Sequence, residues 1–267
     1  FEIVSMSLQE RARGKPGQGW LTMTSQERPA GRGQRKDDVL RELRADGALT
    51  AAELVERTSL SRPTIISLLR ELEEDGWVSS EVGGHGAPGR PATAWAPASR
   101  AGIVIGADVL VDSMLTVVST FHGRVLEVRV RTDQLVDRCR EARLDVVAGV
   151  IGEARDRWSE GFGLLRQVAV STTGVVDGHG TVLRSDLVPQ WEGLDLAAAL
   201  AQRLGVSVSV ENDINMAAWG EFCCRRGQSL SSDGDMLLVQ MTKGLHTGLV
   251  LSGRIHRGRQ WNAGEIS

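Results

Sequence analysis

The sequence lacks any apolar stretch near the ~20 residues that a membrane-spanning helix requires. It also lacks, at its N-terminus, the continuous apolar segment of a secretory signal peptide. Its three cysteines, Cys139, Cys223 and Cys224, form neither an even disulfide framework nor a CxxC pair, which fits a reducing compartment. These absences predict a cytoplasmic protein without a membrane partner.

An excess of positive charge is missing as well. The 267 residues carry a formal net charge of −3, which excludes a uniformly basic nucleic-acid binder, so any DNA contact must come from a local basic surface. The composition, with 41% apolar and 24% charged residues, is that of a globular protein. The length is sufficient for two domains with a sizeable core.

Residues 1–36 have a different composition from the rest of the chain. Basic side chains outnumber acidic ones there, glycines are frequent, and apolar residues show little periodicity. We expect a disordered basic arm. Two interpretations stay open: an arm that touches DNA, and a solvated leader without a role, which a misplaced start would also explain.

Three short helices are predicted from residue 37 onward. DDVLRELRADG places its apolar residues on one helical face and ends at Gly47. Thr50 and Glu53 have the spacing of a capping box and begin a second helix. Ser61 can cap a third helix, which ends near Gly76. A short helix, a three-residue turn and a capped helix have the spacing of a helix-turn-helix.

A predicted hairpin follows these helices. Trp77–Val82 and Ala92–Trp95 alternate like strands, and the loop GGHGAPGRP between them is dense in glycine and proline. This hairpin has the position of a wing, so the sequence predicts a winged helix-turn-helix domain over residues 37–96 and a linker at 97–100. The alternative is a small three-helix bundle with a hairpin that contacts other proteins.

The predicted DNA contacts are polar or cationic side chains on the third helix and at the wing tip. Arginine binds phosphates and guanine edges, and serine and threonine can serve either role. An arginine at the wing tip can enter a narrow minor groove. The predicted contacts are Ser61, Arg62, Thr64, Ser67, Arg70 and Arg90. We expect the acidic run Glu71–Asp75 to face away from DNA.

Residues 101–267 have the pattern of an α/β domain. A meander of three strands is predicted within residues 103–130, and helices then alternate with strands such as Gln167–Ser171. The short strand Val206–Val210 delivers Glu211–Asp213 at its C-terminal end, where ligands bind in α/β sheets. With a further strand pair within Met236–Ile255, the pattern fits the first lobe and the beginning of the second lobe of a two-lobed fold.

Four segments after the predicted winged helix carry a family resemblance: STTGVVDGHGTVL, SDLVPQWEGLDL, VENDINMAAWGE and GLVLSGRIHRGRQWNAGEI. In this order and spacing they resemble the ROK family of repressors and sugar kinases, from Asp37 to the last residue and most specifically from Glu211 to Glu265. The resemblance implies an actin-like ATPase or sugar-kinase fold of the ribonuclease H-like type. It also implies a sugar between two lobes and, in kinase members, ATP phosphates held by two glycine-rich turns.

The resemblance assigns three ligand-binding residues. Asn212 and Asp213 match the sugar-binding pair of the family's END motif, and Asp213 matches the catalytic base of the kinases. Glu265 matches the glutamate of the GEIGH motif, which also contacts sugar. A carboxylate and an amide can bind adjacent hydroxyls, and a carboxylate can accept the proton of an attacking hydroxyl. The alternative is that residues 211–213 only cap the following helix.

Both phosphate turns of the family are altered in this sequence. Leu110 stands where the DxGxT-like turn needs glycine. The stretch TKGLHTG, residues 242–248, stands where kinase members have GTGIGAG, so Thr242 and His246 replace two glycines. We therefore expect no kinase activity, and a hairpin at TKGLHTGLV instead of a working phosphate cradle.

The sequence ends at Ser267, before the cysteine-rich CxCGxxGC stretch that helps hold a structural zinc in the family. We therefore expect an incomplete second lobe, no metal site and no cofactor. Cys223 and Cys224 do not replace the missing ligands, because adjacent cysteines are wrongly placed for that tetrahedral zinc site.

The combined features predict a DNA-binding transcriptional regulator, specifically a repressor of carbohydrate-utilisation genes. Its expected partners are double-stranded DNA, a second copy of the chain in a homodimer, and a sugar or sugar-phosphate effector. One alternative is an ATP-dependent sugar kinase with an added DNA-binding domain, which Asp213 supports and the altered turns oppose. Another is a truncated remnant that binds DNA without a ligand response.

Overall fold

The structure, a computed structural model, describes residues 32–82, 93–132, 135, 138–225, 234–241 and 244–265. Residues 1–31 of the predicted basic arm, Arg90 at the predicted wing tip, and Thr242 lie outside these residues. The last five residues of the predicted arm, 32–36, are described and form the first turns of the helix Arg32–Asp46, so the expectation of disorder is wrong for them, because they continue the helix that was predicted to begin at residue 37. The described chain divides into two compact units. One extends to Gly102 and includes Trp158–Leu164, and the other contains Ile103–Arg157 and the residues from Leu165 onward.

The first unit contains three helices and a three-stranded antiparallel sheet of order β1-β3-β2. Its elements are α1 (Arg32–Asp46), β1 (Leu49–Thr50), α2 (Ala51–Thr58), α3 (Arg62–Glu74), β2 (Val78–Val82) and β3 (Thr93–Pro97). The predicted helices and both predicted wing strands are present. Strand β1 is a feature that the sequence pattern does not predict, because two residues are too few to show alternation.

The starts of α2 and α3 are fixed by the predicted caps. The Glu53 N–H donates to the Thr50 hydroxyl at 3.3 Å, and the Thr50 N–H donates to the Glu53 carboxylate at 2.7 Å. At α3, the Thr64 N–H donates to the Ser61 hydroxyl at 3.4 Å, and Pro63 lies in the first turn. Since each cap is worth about 1 kcal/mol, local sequence sets the turn between these two helices.

The apolar faces of the three helices meet in one core. Its fully buried members include Val39, Leu43, Leu54, Ile65, Leu68, Leu69 and Leu72, with Val78 from β2. Because α3 turns its apolar stripe inward, its remaining face, with Arg62 and Arg70, is left at the surface.

The second unit is built on a five-stranded mixed sheet of order β11-β7-β4-β5-β6. Strands β4, β7 and β11 run parallel, and β4, β5 and β6 form the predicted antiparallel meander. The elements up to the end of this sheet are β4 (Ile103–Val109), β5 (Ser113–Thr120), β6 (Val125–Thr132), α4 (Arg140–Phe162), β7 (Leu165–Thr172), β8 (Val175–Val176), β9 (Thr181–Arg184), a 3-10 turn (Pro189–Trp191), β10 (Leu194–Asp195), α5 (Leu196–Leu204) and β11 (Val208–Asn212).

The two faces of β4 differ in burial. Ile103, Ile105 and Val109 are buried on one face, whereas Gly106 and Asp108 are half-buried on the other. Helix α4 contributes a buried stripe of its own, with Leu144, Val147, Val150 and Ile151. No helix among the described residues has both the length and the apolar character needed to cross a membrane.

A helix and a second sheet follow the five-stranded sheet within the same unit. Helix α6 (Asp213–Arg225) is followed by a three-stranded antiparallel sheet of β12 (Met236–Met241), β13 (Leu245–Leu251) and β14 (Arg254–Ile255). Strands β12 and β13 pair from Met236 opposite Val250 to Met241 opposite Leu245, so the expected hairpin is present. The helix and sheet share a core of Ile214, Ala218, Phe222, Leu238 and Val250.

Candidate functional site

Polar side chains gather where the three parallel strands of the second unit end. Asp108 on β4 is in register with Ser171 on β7, and Ser171 is in register with Glu211 on β11. Because residues in register on neighbouring strands share a face of the sheet, the three side chains lie in one row. The Ser171 hydroxyl donates to the Asp108 carboxylate at 2.7 Å. We call this end of the sheet the carboxyl edge.

Asp213 begins α6 immediately after the carboxyl edge, and it has no cationic hydrogen-bond partner among the described residues. Its carboxylate accepts the Ile214 N–H at 2.8 Å. Burial raises the pKa of Asp213 to about 6, and the negative charges of Asp108 and Glu265 act in the same direction, while the Ile214 hydrogen bond and His246 oppose them. Burial also raises the pKa of Asp108, against its hydrogen bond from Ser171. Asp108 thus lies close enough to Asp213 to disfavour the ionised form of Asp213.

The buried Asn212 has a structural role beside its predicted ligand contact. Its side-chain oxygen accepts the Asn215 N–H at 3.1 Å, which caps α6, and its amide nitrogen donates to the Gly174 carbonyl at 2.9 Å. Asn212 therefore caps the following helix, as the alternative interpretation of residues 211–213 expects. An amide side chain has two N–H donors and two acceptor lone pairs, so half of its hydrogen-bonding capacity is left for a ligand.

Glu211 is neutralised by Arg257, a residue that sequence reasoning missed. The Arg257 guanidinium donates to one Glu211 oxygen at 2.6 and 2.8 Å, and Glu211 is only 2% exposed. The other Glu211 oxygen accepts from the Asn215 side chain at 3.2 Å and from the Asn212 N–H at 3.0 Å. Glu211 is thus fully engaged, and its ion pair fastens the loop after β14 to the carboxyl edge.

Glu265 is brought to the same region by backbone contacts with β13. It forms an isolated bridge with His246, and the Gly264 carbonyl accepts from the Thr247 hydroxyl at 2.8 Å and from the Thr247 N–H at 3.3 Å. Gly264 has φ +97°, and a Cβ there would lie 2.2 Å from the Thr247 carbonyl oxygen. Only glycine fits this approach, which sets Glu265 near Asp213.

Two further polar atoms near the carboxyl edge are buried without a hydrogen-bond partner among the described residues. They are the hydroxyl of Thr173, directly after β7, and the side-chain oxygen of Asn215. Buried polar atoms are nearly always hydrogen-bonded, so unsatisfied ones mark places where a water molecule or a ligand can bind. In contrast, no group of three or more His, Cys, Asp or Glu side chains in the described ranges is arranged to hold a metal ion.

The turn after β4 is held by an arginine. The Leu110 N–H donates to the Ser113 carbonyl at 2.9 Å. Arg143, which is 3% exposed, donates to the carbonyl groups of Leu110, Val111 and Leu135. Burial lowers the pKa of Arg143, and its guanidinium carbon lies 5.5 Å from the Trp191 ring. The turn therefore directs two carbonyl groups at a buried cation.

The predicted DNA contacts on α3 lie at one surface of the helix, and they differ in how far their hydrogen-bonding groups are already engaged. Arg62 and Arg70 are exposed, and the Ser61 and Thr64 hydroxyls lie 2.8 Å apart at the start of the helix. Ser67 donates to Glu71 at 3.4 Å, so part of its hydrogen-bonding capacity is used. We call the exposed side of α3 that carries these residues the α3 face.

Part of the acidic run Glu71–Asp75 lies on the same side of α3 as the predicted DNA contacts. Glu71 and Glu74 line the same surface groove as Arg62 and Arg70. The reason is helical geometry, because residues 67, 70, 71 and 74 recur at intervals of three and four. Glu71 is paired with Lys36 at 3.2 Å, which reduces its charge at this surface.

Comparison with known proteins places the two units. The sequence model of the ROK family matches residues 102–267, and that of a winged helix-turn-helix DNA-binding domain matches residues 38–79. The xylose repressor of Bacillus subtilis (strain 168) is 22% identical over 85% of this chain and 58% of its own length.

Two solved structures resemble the fold. The crystal structure of a ROK family transcriptional regulator, a homolog of the E. coli MLC protein, superposes with a TM-score of 0.67 at 19% identity, over 88% of this chain and 59% of that one. A ROK family glucokinase from Streptomyces griseus, in complex with glucose and AMPPNP, has a TM-score of 0.51 at 30% identity, over 61% of this chain and 49% of that one.

The predicted fold class is confirmed by these matches: a winged helix-turn-helix is followed by a sugar-kinase-like α/β domain. The chain spans somewhat more than half the length of the repressor and the regulator that it resembles. The family match covers more than half of the chain, from the first strand of the α/β domain to the last residue. The chain belongs to the ROK family.

Proposed function

We propose that this chain is a DNA-binding repressor of carbohydrate-utilisation genes, which responds to a sugar bound at the carboxyl edge of its ROK domain. The observation that carries the proposal is the presence, in one chain, of a capped recognition helix with exposed arginines and of a carboxylate, Asp213, that has no cationic hydrogen-bond partner among the described residues. The repressor names of relatives such as the Bacillus subtilis protein support the same assignment.

Helix α3 carries the proposed DNA contacts. Its exposed Arg62 and Arg70 offer cations to phosphates or guanine edges, and Ser61 and Thr64 offer hydroxyls at the helix start. Arg90, outside the described residues, is proposed as a minor-groove contact. A symmetric homodimer would present two such helices to a palindromic site in the cytoplasm.

The proposed ligand contacts are Asn212, Asp213 and Glu265. Asn212 keeps unused hydrogen-bonding capacity, and Asp213 has no hydrogen bond other than the one from Ile214 among the described contacts. Ionised carboxylates accept hydrogen bonds from sugar hydroxyls, and the unsatisfied Thr173 hydroxyl can add a further contact. For the ligand to act as an effector, it must bind two arrangements of the protein with different affinity.

We further propose that the chain is not an enzyme and needs no cofactor. At Leu110 a side chain replaces the glycine of the first phosphate turn, and Arg143 fixes the carbonyls of that turn. A turn that directs carbonyl groups inward offers fewer N–H donors to a phosphate. His246 and Thr242 alter the second turn, and Thr242 lies outside the described residues.

The alternative, an ATP-dependent sugar kinase, is favoured by one observation. Asp213 lies at the position of the family's catalytic base, and a pKa raised to about 6 suits a general base. Turnover of ATP with D-glucose or D-xylose that is abolished by Asp213→Asn would establish this alternative. The repressor proposal expects no turnover with either sugar.

A gel-shift assay on genomic fragments, with and without D-xylose or D-glucose, tests the proposal directly. We expect sequence-selective retardation that a sugar weakens, and loss of binding in Arg62→Ala/Arg70→Ala. Arg155→Ala, which removes a partly exposed arginine on α4, is the matched control. Retardation that no sugar changes would favour a remnant that binds DNA only. Absence of retardation would refute the proposed DNA binding.

A further inference from the structure

His246 stands in the stretch TKGLHTGLV at a place where kinase members of the family have glycine, and the fold explains where its side chain points. Along β13, Gly248 and Val250 face α6, because Val250 lies in the core shared with that helix. A Cβ on Gly248 would lie 2.6 Å from the Ile214 carbonyl oxygen and 2.7 Å from the Ala218 side chain. Gly248 is therefore kept for close packing of strand on helix.

The alternation of a strand places His246 on the same face as Gly248, two residues nearer the hairpin turn. Because Gly248 lies against Ile214 near the start of α6, His246 is directed at the helix start itself, where Asp213 lies. The electrostatic effect of His246 on Asp213 agrees with this placement. On its other side, His246 forms the backbone bridge to Glu265. One imidazole is thus set between two predicted ligand-binding residues.

The other charged groups that act on Asp213 beside this imidazole are negative. They are Asp108 from β4 and Glu265 from the loop after β14. The cation Arg257 in that loop is already paired with the buried Glu211. Among the described residues, two further carboxyl groups and one imidazole therefore act on Asp213. Such a site repels a phosphate and favours an uncharged ligand with hydroxyl donors.

We propose that His246 is a ligand-contacting residue that determines specificity in this pocket, binding a hydroxyl of an unphosphorylated sugar beside Asp213. This inference rests on the proposed sugar site and goes beyond it, since it adds a residue that the family pattern does not supply. An imidazole can donate or accept, so it complements a carboxylate that only accepts. Where a kinase leaves room for the transferred phosphate, this chain places a side chain that binds the sugar.

The first experiment needs no ligand. The intact chain is labelled with ¹³C at the aspartate carboxyl groups, and the Asp213 signal, assigned with Asp213→Asn, is titrated in the wild type and in His246→Gln. Because His246 lowers the pKa of Asp213, its replacement by the uncharged glutamine is expected to raise that pKa. His256→Gln, which removes an exposed histidine of the neighbouring loop, is the control and should cause no change. An unchanged Asp213 titration in His246→Gln would overturn the placement of the imidazole.

The second experiment measures ligand binding by calorimetry, with D-glucose, D-xylose and D-glucose 6-phosphate as probes. His246→Gly is expected to weaken the binding of whichever free sugar binds by about tenfold, as for loss of one hydrogen bond to a charged or polar partner. His256→Gln should bind as the wild type does, and the 6-phosphate should bind at least about tenfold more weakly than D-glucose.

The outcomes separate the two proposals. Wild-type binding of a free sugar with equal affinity in His246→Gly would refute the role of His246 and leave the sugar site intact. Preferential binding of the 6-phosphate would refute the charge argument. Absence of binding to every probe by the wild type would count against the proposed sugar site, and the role of His246 would fall with it.

Discussion

Glu211 and Asp213 are two residues apart at the same strand end, yet their carboxyl groups have opposite electrostatic environments. Glu211 is buried against a guanidinium and two amide groups, and every oxygen is satisfied. Burial raises the pKa of Asp213, and the like charges of Asp108 and Glu265 act in the same direction. The difference separates a carboxylate that stabilises the fold from one that we propose as a ligand contact.

Glu211 and Asp213 should differ in how their surroundings set the stability of the fold. Loss of the charge next to Glu211 should lower the free energy of unfolding, and loss of the charge on Asp213 should raise it. Removing the partner of a buried charge leaves that charge uncompensated and destabilises the fold. Removing a charge that is itself disfavoured in the folded state should stabilise the fold.

Arg257→Ala should cause the largest loss of stability. It leaves the buried Glu211 without its cation, and breaking a buried pair in this way costs about 3 kcal/mol or more. Urea unfolding of the intact chain, followed by tryptophan fluorescence, measures the change. Arg259→Ala, an exposed arginine two residues along, should change the unfolding free energy little. Equal unfolding curves for the two variants would show that the Glu211–Arg257 pair does not hold the loop.

Asp213→Asn should have the opposite sign and depend on pH. The pKa of Asp213 is raised from 3.8 to about 6 in the folded chain, so the folded state binds this proton more tightly than the unfolded state. The resulting stability is fully present below about pH 4 and is lost as the pH rises through about 6. Above that pH the ionised group costs up to about 3 kcal/mol.

The asparagine variant should therefore be more stable than the wild type at pH 8, by up to about 3 kcal/mol, and close to it at pH 4. The same substitution should abolish sugar binding, because the amide replaces a charged acceptor. Urea unfolding at both pH values checks the first statement, with the exposed Asp156→Asn as control. A variant less stable than the wild type at pH 8 would mean that Asp213 belongs with Glu211 as a structural group.

The same contrast shows what could be read from the sequence. The caps of α2 and α3 were predictable because each joins residues three apart, and the position of Asp213 followed from a local motif at a strand end. The partner of Glu211 could not be predicted, since Arg257 lies 46 positions away and nothing near it marks a buried pair. Arg143 is a similar case, because its contact with Leu110 spans 33 positions.

The α3 face offers a third type of carboxylate. Glu74 lines the same groove as Arg70, whereas Glu71 is paired with Lys36. Because a carboxylate repels a nearby DNA backbone, Glu74→Gln should tighten DNA binding by about twofold to fivefold at low salt, and less at high salt. Fluorescence anisotropy with a labelled duplex measures this, and Glu56→Gln on α2 is the control. Weaker binding of Glu74→Gln would indicate that Glu74 contacts a base, as a carboxylate can do with cytosine.

The smallest expected effect concerns the altered phosphate turns. If Leu110 and His246 alone had removed kinase activity, Leu110→Gly/His246→Gly would restore ATP binding. We expect no measurable binding, because the turn after β4 is also fixed by Arg143, whose guanidinium holds the carbonyls of Leu110 and Val111 through side-chain contacts that a glycine does not remove. Calorimetry with ATP and magnesium ions measures this outcome. Binding regained by the double variant would show that the two side chains, and not the arginine, close the site to nucleotide.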